Sequence, residues 1–363
     1  MTDNPGHTRD GAAAPDGHTR VKMVIPDDHS MVSLLGSRDE LLAVVESAFE
    51  ADIHVRGNEI TATGTPEETA LVARLFEELT QLVASGAELT PDAVERSVAM
   101  LRRKSGVRPA DVLTLGILSA RGRTIRPKTL NQKRYVDAID KHTIVFSIGP
   151  AGTGKTYLAM AKAVKALQAK EVSRIILTRP AVEAGERLGF LPGSLQEKVD
   201  PYLRPLYDAL YDLLDQEKVD KLLERNVIEV APLAFMRGRT LNDAFIIMDE
   251  AQNTTMEQMK MFVTRMGNGS KAVITGDLTQ IDLPNPKRSG LFEALQVLEG
   301  VEGIRFCHFE DVDVVRHHLV QRIVRAYDSY SRAQQQLPLE LGDTTIPSAE
   351  VVDTGLKPIS KPQ

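Results

Sequence analysis

The sequence predicts a doubly wound α/β domain with a mostly parallel sheet, preceded by a small α+β module. Three observations lead there. Short apolar runs of strand type recur near Thr143, Arg174, Val227, Ala244, Lys271 and Gly303 and alternate with helical stretches, the pattern of successive βαβ units. One of them, Thr143-Ile144-Val145-Phe146-Ser147-Ile148, runs into a glycine-rich loop and then into an Ala-, Leu-, Met- and Lys-rich helix former from Tyr157 to Ala169. From Val21 to about Arg103 the pattern is shorter and mixed, as in a separate small domain.

In that module, Val21 to Ile25 reads as a strand, and Leu41, Leu42, Val44, Val45, Ala48 and Phe49 share one helical face. Ile53-His54-Val55-Arg56 and Glu59-Ile60-Thr61-Ala62-Thr63 alternate around Gly57-Asn58, a pair suited to the positive φ of a tight hairpin. Thr65-Pro66-Glu67-Glu68 supplies an N-cap, a proline at the first helical position and a capping-box glutamate for a helix with Leu71, Val72, Leu75, Phe76, Leu79 and Leu82 on its face. A second capped helix starts at Thr90-Pro91. The order strand, helix, strand, strand, helix is KH-like. A KH domain grips a nucleic-acid backbone with a GxxG loop, whereas Gly36-Ser37-Arg38-Asp39 ends in an acid, so a packing or oligomerisation module is the alternative.

The domain plan is a polar, disordered tail over 1–20, the small module over 21–104, a basic linker over 105–130, the α/β domain over 131–335 and a second disordered tail over 336–363. Overall the 363 residues carry 44 Lys plus Arg against 50 Asp plus Glu, a net charge of −6, so any polyanion partner needs a local basic patch. Residues 102–134 offer one: Arg102, Arg103, Lys104, Arg108, Arg121, Arg123, Arg126, Lys128, Lys133 and Arg134 face a single acid, Asp111. Cys307 is the single cysteine, which excludes an internal disulfide and fits a reducing compartment; its alternating apolar setting reads as a buried strand. The N-terminus lacks the layout of a secretory signal and no stretch is long and apolar enough to span a membrane, so the expected location is the cytoplasm.

The glycine-rich loop is Gly149-Pro150-Ala151-Gly152-Thr153-Gly154-Lys155-Thr156, G-x-x-x-x-G-K-T between a strand and a helix. Glycines there let the backbone curl so that N–H groups point at phosphate oxygens, at the positive end of the following helix. Lys155 is placed for the β and γ phosphates of ATP, and Thr156 for Mg2+. Phe245-Ile246-Ile247-Met248-Asp249-Glu250 reads as a buried strand delivering two acids at its end: Asp249 for the metal, Glu250 to polarise the attacking water. Ala272 to Thr275 reads as another strand, ending in Gly276-Asp277-Leu278-Thr279-Gln280, where Gln280 is placed to sense the γ phosphate. Upstream, the Gln132 amide can both donate to and accept from an adenine edge.

Together Gln132, the P-loop, Asp249-Glu250-Ala251-Gln252 and Gly276-Asp277-Leu278-Thr279-Gln280 resemble, in order, the adenine-reading, Walker A, Walker B and γ-phosphate-sensing motifs of superfamily 1 helicases. More closely the chain resembles the PhoH family of phosphate-starvation-type ATPases, with Thr178-Arg179-Pro180-Ala181-Val182-Glu183-Ala184-Gly185-Glu186, Leu188-Gly189-Phe190-Leu191-Pro192-Gly193 and Val315-Arg316-His317-His318-Leu319-Val320 as further carriers. The resemblance covers roughly residues 125–330 and implies a RecA-like ATPase core that forms ring-shaped homo-oligomers and associates with RNA, in some members beside a ribosomal-RNA-maturing endoribonuclease. Relatives with a fused PIN nuclease domain exist, but the residues here leave no room for one, nor for the second RecA-like domain of true helicases. An arginine finger must then come from a neighbouring subunit, with Arg316 first and Arg322 and Arg325 behind it as candidates.

Other features are read more plainly. His317-His318 beside Asp311 and Asp313 lack a third ligand at the right spacing for a metal. Arg179 stands where superfamily 1 proteins touch single-stranded nucleic acid. Leu203, Leu206, Leu210 and Leu214 with Tyr207 and Tyr211 form a packing stripe, and Lys287 and Arg288 lie in a proline-bounded loop that can face a polyanion in a ring pore. The functional expectation is Mg2+-dependent ATP hydrolysis coupled to RNA binding or remodelling; the alternative is an ATP-gated oligomeric scaffold that recruits a nuclease. A small-molecule kinase is disfavoured by Glu250, and GTP by the lack of an Asn-Lys-x-Asp motif.

Overall fold

A computed structural model of the chain describes residues 18–26, 31–103, 106–180, 195–284 (side chains from 200) and 289–315, with 319, 320, 323, 326 and 327. Arg316, Arg322, Arg325, His317, His318, Lys287, Arg288 and the 181–193 motif lie outside the described residues, as do most of both tails. The chain divides into two compact units, Met1–Val315 and Arg316–Gln363, and the three sheets of the described residues lie in the first.

The small module runs β1 (Thr19–Val24), α1 (Met31–Leu35), α2 (Glu40–Ala48), β2 (Asp52–Arg56), β3 (Glu59–Gly64), α3 (Pro66–Ala84) and α4 (Pro91–Arg102). Its strands pair antiparallel in the order β1-β3-β2, so β1 begins at Thr19, inside the stretch expected to be tail. Gly57 takes φ 64° in the β2–β3 turn. Thr65 caps α3 by accepting from the Glu68 N–H at 3.3 Å. The expected capping box does not close, because the Glu68 carboxylate accepts instead from the Glu50 N–H at 3.1 Å, tying α3 to the end of α2. Between α1 and α2, Arg38 and Asp39 both have φ 60°, and the Asp39 carboxylate occupies the place of a second glycine.

The stretch read as a basic linker differs from that reading: it carries α5 (Pro109–Leu113) and a hairpin of β4 (Leu118–Ala120) and β5 (Arg123–Ile125). The reason lies between the charges, where Ala110, Val112, Ile117, Leu118 and Ile125 are all buried. Most of the bases have partners within the chain, largely at the surface. Arg108 donates to Glu78 at 2.8 Å, Arg103 pairs with Glu310 at 3.0 Å, Lys133 with Asp137 at 2.7 Å, and Arg123 with Asp212. Arg121 donates to the Tyr211 carbonyl at 2.9 Å, and Arg102 lies over the Phe49 ring, 5.2 Å from its centroid. Arg126 and Lys128 are exposed, as are Arg102, Arg103, Arg121, Arg123 and Arg134.

The α/β domain follows as α6 (Leu130–Lys141), β6 (Ile144–Ile148), α7 (Lys155–Gln168), β7 (Arg174–Arg179), α8 (Leu195–Leu213), α9 (Gln216–Glu224), β8 (Ile228–Pro232), β9 (Ala244–Met248), α10 (Met256–Val263), β10 (Lys271–Gly276), α11 (Gly290–Val297) and β11 (Ile304–His308). Six strands form one sheet in the order β11-β6-β10-β9-β7-β8, and every pairing is parallel. This is the RecA-like P-loop architecture, with the strand before the glycine-rich loop separated from the acid-bearing strand by β10.

Side-chain alternation divides the core into two layers. Val145, Ile175, Leu177, Phe245, Ile247 and Val273 pack with α6, α7 and α8 residues such as Tyr135, Leu158 and Leu206. Phe146, Ile148, Ile176, Ile246, Met248 and Ile274 pack on the other face with Met259, Phe262 and Leu291 of α10 and α11. The leucine stripe of α8 is consumed in the first layer: Leu203, Leu206, Leu210 and Leu214 are all buried there. Cys307 lies on edge strand β11, and burial pushes its thiol up to about 11, which makes it a packing residue and not a nucleophile. No helix among the described residues is long and apolar enough to cross a membrane.

Glu78 joins the small module to the folded basic stretch, since its buried carboxylate accepts from both Arg108 and the Ala110 N–H, the latter at 3.0 Å. Glu78→Ala leaves the buried Ala110 N–H without its acceptor, and the expected loss is about 1–3 kcal/mol, read as a lower midpoint in urea unfolding followed by circular dichroism.

Candidate active site

Strand parity places the polar groups of the site. On β9, Phe245 and Ile247 face the α7 layer, so Asp249, two residues on, points the same way. On β10, Val273 faces that layer and Thr275 follows it. The helix on that side begins with Lys155 and Thr156. Three hydroxyl and carboxylate oxygens therefore converge: Thr156 Oγ1 donates to Asp249 Oδ1 at 2.6 Å, Thr275 Oγ1 donates to the same oxygen at 2.7 Å, and the two hydroxyls lie 3.2 Å apart. Thr275 was not among the residues singled out in the sequence. Its signal was its position as the polar residue that continues the apolar parity of β10.

The loop before α7 is shaped by close approach. A Cβ on Gly149 would lie 2.6 Å from the Phe309 carbonyl oxygen and 2.7 Å from its Cβ, so no side chain fits without moving backbone. Gly152 and Gly154 take φ 84° and 79°, which turns the loop back onto itself at the start of α7. Inside the turn the Lys155 ammonium donates to the Gly149 and Pro150 carbonyls at 2.6 and 2.8 Å. Thr153 closes the loop by donating to Pro150 O at 2.9 Å. Ala151 N–H donates to Asp277 Oδ2 at 3.1 Å, which couples the loop to the end of β10.

Gln132 is buried against this loop: Nε2 donates to Thr153 O at 3.0 Å and Oε1 accepts from Lys128 N–H at 2.6 Å. One N–H and one lone pair remain for any base edge. The more visible part of Gln132 here is as a brace between the exposed Lys128 and the loop. Tyr135, on the same helix, is fully buried and donates to Lys155 O at 3.0 Å, with burial driving its phenol well above the ordinary value.

Gln280 and Glu250 sit in one polar network centred on Gln252, which is almost wholly buried. Gln252 Nε2 donates to Glu250 Oε2 at 2.6 Å and to Gln280 O at 3.1 Å, and its Oε1 accepts from Asp277 N–H at 3.0 Å. Gln280 Nε2 donates to Asp277 Oδ2 at 2.7 Å, and the Thr279 hydroxyl to Asp277 Oδ1 at 2.6 Å. Glu250 has φ 52°, so the chain kinks directly after Asp249, and its Oε1 lies 3.3 Å from Nη2 of Arg179. Neither Gln252 nor Arg179 was expected to hold the glutamate.

These groups line a cavity of about 250 Å³, bounded by Ala151, Lys155, Thr156, Asp249, Glu250 and Gln280 among others. Tyr157 also lines it; burial and its bond to Asp212 at 2.7 Å push the phenol up to about 12. The oxygen donors Thr156 and Asp249 suit a hard divalent cation such as Mg2+, which takes one or two protein oxygens and fills its shell with phosphate and water. Arg316 lies outside the described residues, so the structure brings together Lys155, Thr156, Asp249, Glu250 and Gln280 but not that arginine.

Comparison with known proteins places this geometry in a family. The family model described as PhoH-like protein matches residues 124–328. A PhoH-like protein of Mycobacterium bovis is 67% identical over 297 residues, spanning 82% of this chain and 84% of that protein. One from Bacillus subtilis is 50% identical over 297 residues, spanning 82% of this chain and 93% of that protein. Among solved structures, a Sulfolobus solfataricus SWI2/SNF2 ATPase core in complex with dsDNA matches at 18% identity and TM-score 0.28, covering 46% of this chain and 35% of that one, a likeness too partial to carry an argument.

The packing of Gly149 on Phe309 makes Gly149→Ala a specific probe. Forcing a methyl group against that carbonyl is expected to cost about 1–3 kcal/mol of stability, read as a lower midpoint in urea unfolding, and the displaced loop should bind a fluorescent ATP analogue more weakly, with secondary structure unchanged by circular dichroism.

Proposed function

The chain belongs to the PhoH-like protein family, and from that premise we propose that it binds ATP with Mg2+, hydrolyses it, and couples turnover to RNA binding or remodelling. The observation that carries the ATPase reading is the meeting of Thr156 and Asp249 at 2.6 Å beside a P-loop whose lysine is folded into the phosphate cradle. The Lys155 ammonium exchanges its two carbonyl contacts for phosphate oxygens when nucleotide enters. Backbone N–H groups of the loop and the N-terminus of α7 hold the remaining phosphate charge. Thr156 and Asp249 would hold Mg2+, which when bound neutralises charge on the β and γ phosphates.

Glu250 accepts a hydrogen bond from the attacking water and draws off its proton, while Gln280, which lines the same cavity, registers the γ phosphate. A carboxylate positioned on water favours hydrolysis over transfer to a small-molecule acceptor. For RNA, the support is the family resemblance and the exposed Arg126 and Lys128, the latter braced to the P-loop through Gln132. Because many of the neighbouring bases already have partners within the chain, the affinity for RNA should be modest and should fall with salt in proportion to the few phosphates contacted. A homo-oligomeric ring in which a neighbour supplies Arg316 fits a chain with one P-loop core.

The second reading is an ATP-gated scaffold that recruits an endoribonuclease, favoured by the pairing of much of the basic stretch with acids of the same chain. The two readings separate on whether a tailed RNA duplex is opened with hydrolysable ATP and not with a non-hydrolysable analogue.

Glu250→Gln should lower kcat for ATP by about 10²–10⁴-fold while nucleotide binding persists, measured by phosphate release alongside analogue binding; an undiminished kcat would remove Glu250 from the chemistry. Mixing Arg316→Ala chains with Glu250→Gln chains, each inactive alone, should restore phosphate release in the mixture. Failure of rescue would count against a finger supplied in trans.

A further inference from the structure

Glu250 is held at both carboxylate oxygens in this structure, with a third of its side chain still exposed. One carboxylate oxygen accepts from Gln252 at 2.6 Å, and the other faces the Arg179 guanidinium at 3.3 Å. A general base needs its carboxylate free to turn toward water, and here the Arg179 guanidinium and the Gln252 amide hold it by both oxygens. The arrangement therefore suits a resting enzyme more than a working one.

Arg179 is placed to be drawn away. It is the last residue of β7, next to β9, and on the parity of Ile175 and Leu177, so it emerges at the carboxyl ends of the strands on the α7 and α8 side. Its second nitrogen donates to the Tyr202 carbonyl at 3.2 Å, and part of the side chain reaches solvent. On its other flank, Arg179 pairs in register with Pro232 at the end of β8. The turn that follows exposes Phe235, which is 48% accessible, and Arg237. An exposed ring with a neighbouring cation is the pairing that stacks a base and holds a phosphodiester of a single strand.

We propose that Arg179 is a positioning residue that restrains Glu250 until single-stranded RNA, crossing the ends of β7 and β8, competes for its guanidinium and releases the carboxylate. The proposal rests on the ATPase and RNA reading above and names the site and residue through which the two are coupled. Phosphodiester oxygens exchange for the Glu250 oxygen on one guanidinium, so no covalent step is involved. The consequence is a basal rate held low and raised by RNA, with the effect on kcat and not on KM for ATP.

The test compares full-length wild type, Arg179→Gln, Arg179→Lys and Phe235→Ala, measuring kcat and KM for ATP with and without a single-stranded oligouridine. Arg179→Gln is expected to raise the basal kcat several-fold at unchanged KM and to abolish stimulation by RNA. Arg179→Lys, which keeps a cation but not the fork that reaches Glu250 and Tyr202 together, should retain part of both behaviours. Phe235→Ala should keep the basal rate and need more oligouridine for half-maximal stimulation. A lower basal kcat in Arg179→Gln with the RNA stimulation factor intact overturns the proposal and makes the ion pair a structural contact. If wild type turns over ATP but ignores oligouridine, the RNA coupling fails together with this proposal; if wild type is stimulated and Arg179→Gln is stimulated equally, only the role of Arg179 fails.

Discussion

A parallel sheet presents alternate residues of each strand to the same helix layer, and the pairing of β9 with β10 and β7 carries the whole site on that rule. Asp249 and Thr275 face α7 because Ile247 and Val273 do. Once they face it, the Thr156 hydroxyl at the start of α7 meets them within hydrogen-bond distance. A one-residue slip of β9 would turn Asp249 toward α10 and leave a carboxylate in the apolar layer of Phe262 and Leu291. The apolar packing on both faces of the sheet thus fixes the polar chemistry at its end.

The polar side of the site is a network more than a set of separate residues. Gln252 touches Glu250, the Gln280 carbonyl and the Asp277 N–H, and Asp277 in turn accepts from the P-loop at Ala151. A change at the phosphate cradle can therefore reach Glu250 through three hydrogen bonds and no moving domain. Arg179 enters from the opposite side, from a strand with no part in the phosphate cradle. Glu250 lies where the glycine-rich loop side of the site and the carboxyl end of β7 meet.

Much of this was legible in the sequence because it is local. G-x-x-x-x-G-K-T after an apolar strand, two acids after another, and Thr65 and Thr90 before prolines each act within a few residues, and the structure forms the elements they specify. The basic stretch misled for the opposite reason. Its charges read as solvated because their partners, Glu78, Tyr211, Asp212 and Glu310, lie far away in the chain. The apolar residues between those charges were the signal that the segment folds.

By itself the sequence determined the succession of the six core strands, the glycine-rich loop and the two acids, since periodicity, capping and glycine placement are properties of neighbouring residues. Only the tertiary structure decided what those acids touch. Asp249 meets hydroxyls from two other elements, and Glu250 meets an arginine from a third, because strand order in a parallel sheet brings together residues that the chain keeps apart. Gln132 shows the same division: its amide was legible as a polar group before the first core strand, but its burial as a brace on Thr153 depends on how α6 lies along the P-loop.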